Sequence, residues 1–123
     1  MSKKILVVDD SNTIRQQVGM CLSSAGYAVV EASDGQEGLK VIESTPDIAM
    51  VICDVNMPNM NGIEMLEAVQ KAGKMGKPPI VMLTTEGQPG LIKRAKGAGA
   101  KGWIVKPFKP DMLIAAAKKL TAA

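Results

Sequence analysis

Histidine is absent from the 123-residue sequence, and aromatic residues make up only 2% of it. The first absence removes Ser-His-Asp and Cys-His catalysis, HExxH metalloproteases and ordinary His-containing zinc sites. The second leaves Tyr27, Trp103 and Phe108 as the aromatic inventory, too few for a nucleic-acid stacking platform. Charge of one sign is also scarce: 15 basic against 12 acidic residues give +3, a mild excess where nucleic-acid binders usually show a concentrated basic face, so no nucleic-acid partner is expected. The longest apolar runs fall far short of a membrane span. Met1-Ser2-Lys3-Lys4 leads into a short apolar run with no small-residue cleavage site after it, so neither a signal peptide nor a membrane partner is indicated and the expected compartment is the cytoplasm. Cys21 and Cys53 stand far apart without a CxxC grouping, and both read as reduced and buried.

What is present fits one domain, residues 1–123, with no linker, repeat or low-complexity tract and no room for a separate output domain. Hydrophobic residues at 46% are sufficient for a single core. Apolar runs recur at Ile5–Val8, Ala49–Cys53, Ile80–Leu83 and Trp103–Val105, with a weaker one at Ala28–Val30 followed by Glu31. Continuous apolar character at this length suits parallel strands covered on both faces, and the weaker second run suits an edge. Helix signals alternate with the runs. Ile14, Val18 and Leu22 recur at helical spacing before Gly26; Ser33 with Gln36 reads as a capping box and Asn61 with Glu64 as a related start. Pro89 and Pro110 suit first-turn positions, and Met112, Leu113, Ala116, Ala117 and Leu120 give the last helix an apolar face.

Five strand and helix units in alternation predict an α/β fold: a five-stranded, doubly wound parallel sheet of flavodoxin-like order 2-1-3-4-5. Ligands then gather at the carboxyl ends of the strands, near the point where strand order reverses. Strand one ends in Asp9-Asp10, strand three in Asp54, strand four in Thr84-Thr85-Glu86 and strand five in Lys106-Pro107. An Asp after a strand is often a turn former, and Ser11 or Asp10 is a natural cap for the first helix. Three acids at adjacent strand ends are harder to explain that way. Two like charges ~4 Å apart repel by ~4 kcal/mol at an effective dielectric of ~20, and a hard divalent cation removes the penalty. Oxygen ligands without His or a Cys grouping favour Mg²⁺, with Lys106 supplying further positive charge.

On Asp9-Asp10, the segment Asp54-Val55-Asn56-Met57-Pro58-Asn59-Met60-Asn61-Gly62, Thr84 and Lys106-Pro107-Phe108, the chain resembles a response-regulator receiver domain, and specifically a single-domain CheY-like regulator of two-component signalling. The resemblance implies that Asp54 accepts a phosphoryl group from a phosphohistidine on a histidine kinase or phosphotransfer protein. It also implies that Asp10 and Asp54 contact Mg²⁺ directly, that Asp9 assists through water and that the main-chain carbonyl of Asn56 completes the protein ligands. Lys106 neutralises charge on the moving group, Thr84 responds to it, and Trp103 turns inward in place of the family's usual Tyr or Phe. The larger ring needs room, which Gly97, Ala98, Gly99, Ala100 and Gly102 supply. Asn56 and Glu86 occupy positions that tune the lifetime of the phosphorylated state, and Thr85, where the family often has a smaller residue, is expected to narrow access to Asp54. The phosphorylated form would bind a protein target through the face formed by the fourth helix, fifth strand and fifth helix, with chemotaxis or another motility pathway as the setting.

A phosphorelay shuttle or phosphate sink would carry the same site residues and remains an alternative. A Mg²⁺-dependent phosphohydrolase forming an aspartyl phosphate is a more distant one, since it needs a second Asp two residues after the nucleophile, where Asn56 stands. A flavodoxin-like carrier needs a phosphate-cradling loop after strand one, and Asp9-Asp10 would repel phosphate. Gly97, Gly99 and Gly102 spell GxGxxG but lead from a helix into a strand, the reverse of a dinucleotide site. Lys93, Arg94, Lys96 and Lys101 read as a solvated helix face or as charge steering an acidic partner, and Met57, Met60 and Met65 as loop and core filler.

Overall fold

Each short apolar run becomes a parallel strand in the computed structural model, which describes residues 3–57, 59–71, 78–85 and 87–121. The strands are β1 (Lys4–Val8), β2 (Ala28–Ala32), β3 (Ile48–Cys53), β4 (Ile80–Thr84) and β5 (Gly102–Val105). The helices between and after them are α1 (Asn12–Ser24), α2 (Gly35–Ser44), α3 (Gly62–Lys71), α4 (Pro89–Gly97) and α5 (Pro110–Thr121). The sheet order is β2-β1-β3-β4-β5, and every pairing is parallel. The expected flavodoxin-like order is therefore the observed one, with β2 at an edge. That strand runs on through Glu31 to Ala32 because its exposed acid lies at the solvent side of an edge.

Side-chain alternation along the central strands divides the interior into two layers. Leu6, Val8, Val51, Cys53 and Met82 face α2, α3 and α4 and pack with Ile63, Met65, Leu66 and Ala95. Ile5, Val7, Met50, Ile52, Val81 and Leu83 face α1 and α5 and pack with Val18, Leu22, Leu113 and Ala117. Complete burial of a Leu or Ile side chain contributes about 2 kcal/mol, and this condition is met by Ile5, Leu6, Leu22 and Leu113, all fully inaccessible. Among the described residues no helix is long and apolar enough to cross a membrane.

Helix ends follow from local chemistry. Ser11 caps α1 by accepting from the Ile14 N–H, so Asp10 is not used as a cap. At the start of α2 the cap is Asp34 rather than Ser33. The Asp34 carboxylate accepts from the Glu37 N–H at 2.9 Å and from the Asn59 side-chain amide at 2.8 Å, while Ser33 Oγ donates to Glu37 Oε2. The two candidate caps have equivalent spacing in sequence, and the long-range bond from Asn59 favours Asp34. At α3 the anticipated Asn61 and Glu64 pair exchange reciprocal bonds, each side chain accepting from the other's main-chain N–H. Helix α4 ends in a Schellman turn: Gly99 at φ 97° donates to Lys96 O and Ala100 donates to Ala95 O. The literal GxGxxG is thus a helix stop.

Two burial expectations change. Cys53 is buried, but Cys21 is only half-buried. Met112, placed on the apolar face of the last helix, is 55% exposed, because Leu113 and Ala117, with Leu120 partly buried beside them, face the sheet and a residue one position before Leu113 points about 100° away from it.

Gly62 marks the tightest backbone approach: a Cβ there would lie 1.9 Å from the Asp54 carbonyl oxygen. Neither partner is a flexible side chain, so Gly62→Ala is expected to cost about 3 kcal/mol, at the upper end for overpacking. Urea unfolding checks this, and a loss below about 1 kcal/mol would show that the loop can step aside. The Asp34 carboxyl is held below its ordinary 3.8 by the Glu37 N–H and the Asn59 amide. With the folded value lowered, this stabilisation is present above pH 3.8 and is lost as pH falls through the folded value. Asp34→Asn should flatten the acid limb of the stability profile recorded by thermal melts.

Candidate functional site

At the carboxyl edge of the sheet, β1 and β3 are neighbours, so the residues that follow them are neighbours too. Asp9 is 2% exposed and held at every polar atom. Its N–H donates to Ala32 O, its Oδ1 accepts from the Ser11 N–H at 2.9 Å, its Oδ2 accepts from Lys106 Nζ at 2.8 Å, and its carbonyl accepts from Arg15. Asp54, 6% exposed, donates its N–H to Val8 O, accepts at Oδ1 from the Val55 N–H at 2.7 Å and at Oδ2 from Lys106 Nζ at 3.2 Å. Asp10 is exposed. One carboxylate oxygen from each of Asp9, Asp10 and Asp54 lies within 4.8 Å of the others.

Lys106 reaches this cluster from the loop after β5, and its own N–H donates to Thr84 O at 2.8 Å. The peptide bond between Lys106 and Pro107 is cis. Burial disfavours the ammonium, yet the hydrogen bond to Asp9 and the charges of Asp54 and Asp9 outweigh it and hold Lys106 above the ordinary lysine value. Three carboxylates against one ammonium leave an excess of negative charge. All the converging donors are carboxylate oxygens, so the chemistry of the site fits a hard divalent cation. The neighbouring Cys53 thiol is pushed up by burial and by the charges of Asp54 and Asp9, which leaves it an inert core group.

The segment after Asp54 is closed on itself and tied to α2. The Gly62 N–H donates to Val55 O, the Gly35 N–H donates to Met60 O, and Asn59, at φ 65°, places its amide on Asp34. Asn tolerates this left-handed conformation better than most residues. Pro58 of the motif and Glu86, a lifetime-tuning candidate, lie outside the described residues.

Thr84 is fully buried at the end of β4. Asn56 and Thr85 are exposed. Trp103 is half-buried, packed on the layer that contains α3 and α4. The sequence candidates brought into direct contact are thus Asp9, Asp54 and Lys106, with Asp10 beside them. Met65 is core and Met57 and Met60 pack partly against it. Lys93, Arg94, Lys96 and Lys101 are exposed, and Arg94 grips Glu67 of α3 through two bonds of 2.8 and 3.2 Å. Sequence reasoning passed over Arg15 and Glu31, whose side chains pair at 3.0 Å beside Asp9. The available signal was a cation near the start of α1, at the end of a helix that disfavours positive charge.

Removal of Lys106 should leave two buried carboxylates facing each other without compensation. Lys106→Met is expected to cost about 3 kcal/mol, whereas Asp54→Asn, which relieves repulsion and retains an acceptor for Val55, should cost less than about 1 kcal/mol. Denaturant midpoints in metal-free buffer test the ordering, and equal losses would refute it.

The family model for the response regulator receiver domain matches residues 5–118. Chemotaxis protein CheY1 of Helicobacter pylori is 40% identical over 111 residues, covering 89% of this chain and 90% of that protein. Chemotaxis protein CheY of Thermotoga maritima is 37% identical, covering 98% of this chain and 99% of its own. Among solved structures, the chemotaxis response regulator CheY4 of Vibrio cholerae superposes with a TM-score of 0.87 at 42% identity, covering 98% of this chain and 99% of the other. Strand order, acidic pocket and near full-length similarity agree, and the chain belongs to the response regulator receiver domain family.

Proposed function

We propose that the chain is a phosphorylation-activated, single-domain response regulator of a cytoplasmic two-component system, with Asp54 as the phosphoacceptor. The observation that carries this reading is the shared grip of Lys106 Nζ on Asp9 and Asp54 beside Asp10. In the transfer, a carboxylate oxygen of Asp54 forms a bond to phosphorus as the bond from phosphorus to the donor imidazole nitrogen breaks, and that imidazole leaves with its electron pair and then takes up a proton. Absence of His from this chain means that the imidazole belongs to a kinase or phosphotransfer protein.

Asp10, Asp54 and the main-chain carbonyl of Asn56 would hold Mg²⁺. Asp9 would act at one remove, a role consistent with oxygens already bonded to Ser11 and Lys106. When bound, Mg²⁺ supplies neutralisation of the phosphoryl oxygens and their alignment for in-line displacement. Lys106 already lies 3.2 Å from Asp54 and brings a second positive charge to the same group, so the protein's part is positioning and electrostatics. The chain acts as a switch, and its only chemistry is its own phosphorylation and the later return of the phosphoryl group to water.

Phosphorylation exchanges one negative charge for roughly two and adds acceptor oxygens. Thr84 then serves as the responding hydroxyl and Trp103 as the ring that follows it. Asn56, Thr85 and Glu86 set the lifetime of the modified state. The readout surface is the face of α4, β5 and α5, which carries exposed Lys93, Lys96 and Lys101 and exposed Val105 (50%) and Met112 (55%). Basic and apolar groups exposed on these elements suit a target with an acidic, partly apolar binding segment. Similarity to chemotaxis proteins supports motility as the setting.

Mg²⁺ at 100 times its dissociation constant should stabilise the folded chain by about 2.7 kcal/mol, measured as a rise in melting temperature that Asp10→Asn removes. Fluorescence of Trp103, the sole Trp, should change when beryllofluoride is added with Mg²⁺, and Asp54→Asn should abolish both that change and phosphate incorporation from a small acyl phosphate. A chain silent in both assays would end the phosphoacceptor reading, and turnover of small phosphate esters would replace it with a hydrolase.

A further inference from the structure

Arg15 is a costly residue where it stands. It lies in the opening turns of α1, whose first turn carries no acidic residue, so its charge opposes the helix dipole. Its side chain is only 15% exposed, and an arginine loses hydration and rotamer freedom when it is fixed this way. Each guanidinium nitrogen nevertheless makes a hydrogen bond. Nη1 donates to the Asp9 carbonyl at 2.5 Å, Nε donates to Glu31 Oε1 at 3.0 Å, and Nη2 donates to Asn12 Oδ1 at 3.3 Å.

These contacts fix one peptide plane. The Asp9 carbonyl is part of the peptide bond that leads into Asp10, and the other side of Asp9 is already held by its N–H on Ala32 O and its carboxylate on Ser11 and Lys106. Asp10 itself is exposed, and among the described residues no side chain or main-chain N–H bonds its carboxylate. The direction in which Asp10 projects is therefore set by the backbone, and Arg15 holds the atom that sets it. Glu31 of the edge strand β2 in turn orients the guanidinium.

We infer that Arg15, braced by Glu31, is a positioning residue that aims the Asp10 carboxylate at the divalent cation of the acidic pocket. The inference rests on the receiver reading above. It also separates cleanly from a purely electrostatic role, because a nearby guanidinium repels a cation. If Arg15 acted by charge alone, its removal would tighten cation binding; if it positions Asp10, removal weakens it.

Isothermal calorimetry of Mg²⁺ binding to the full chain at neutral pH makes the distinction without any phosphoryl donor. Arg15→Gln should bind Mg²⁺ about tenfold more weakly, the scale of loss when the partner behind a metal ligand is removed. Arg15→Lys, which retains one donor for the Asp9 carbonyl but not the fork to Glu31, should recover part of the loss, and Glu31→Gln should show a smaller loss of the same sign. Affinity of Arg15→Gln equal to or tighter than that of the unaltered chain overturns the inference while leaving the receiver reading intact. Absence of Mg²⁺ binding by the unaltered chain sinks both. Circular dichroism confirms folding of each variant; if Arg15→Gln fails to fold, Arg15→Lys decides, and unchanged affinity there is equally fatal.

Discussion

Repulsion among carboxylates at the end of a parallel sheet is the constraint around which this molecule is arranged. Asp9 and Asp54 are buried on neighbouring strands, where like charges would open the sheet unless something offset them. One ammonium does so, reaching from the far side of the fold and bonding both acids. The compensation is incomplete, since a third carboxylate joins the cluster. In the proposed function stability and reactivity share one origin: the residual negative potential that makes the pocket costly to fold is the one that would attract a cation and, with it, a phosphoryl group.

The surrounding scaffold keeps that geometry from relaxing. Lys106 is tied to Thr84 through its own N–H, Asp54 to Val8, and Asp9 to Ala32. Each of these bonds joins a pocket residue to a different strand, so the acids cannot part without unzipping the sheet edge. The loop after Asp54 is held as firmly, with Gly62 against the backbone of Asp54 and Val55 and with Asn59 and Met60 on the start of α2.

Most of the fold was legible because it depends on local pattern. Short continuous apolar runs alternating with helix signals suit covered parallel strands, and the resulting order brings Asp9, Asp54 and Lys106 together. Features that depend on a distant partner were not legible. Ser33 and Asp34 offer equivalent caps until Asn59 arrives to favour one, Met112 belongs to an apolar stripe until Leu113 and Ala117 take the groove, and Arg15 reads as an ordinary helical cation until Glu31 is folded beside it. The roles of Thr84, Thr85 and Asn56 rest on family resemblance together with their placement at strand ends.

The two-layer interior gives β5 a particular property. Trp103 belongs to the layer of α3 and α4, and its neighbour Ile104 to the layer of α1 and α5. A rearrangement of this outermost ribbon is therefore felt by both packings. The ribbon thus couples the packing of the two layers, and the lysine of the pocket sits just past its end.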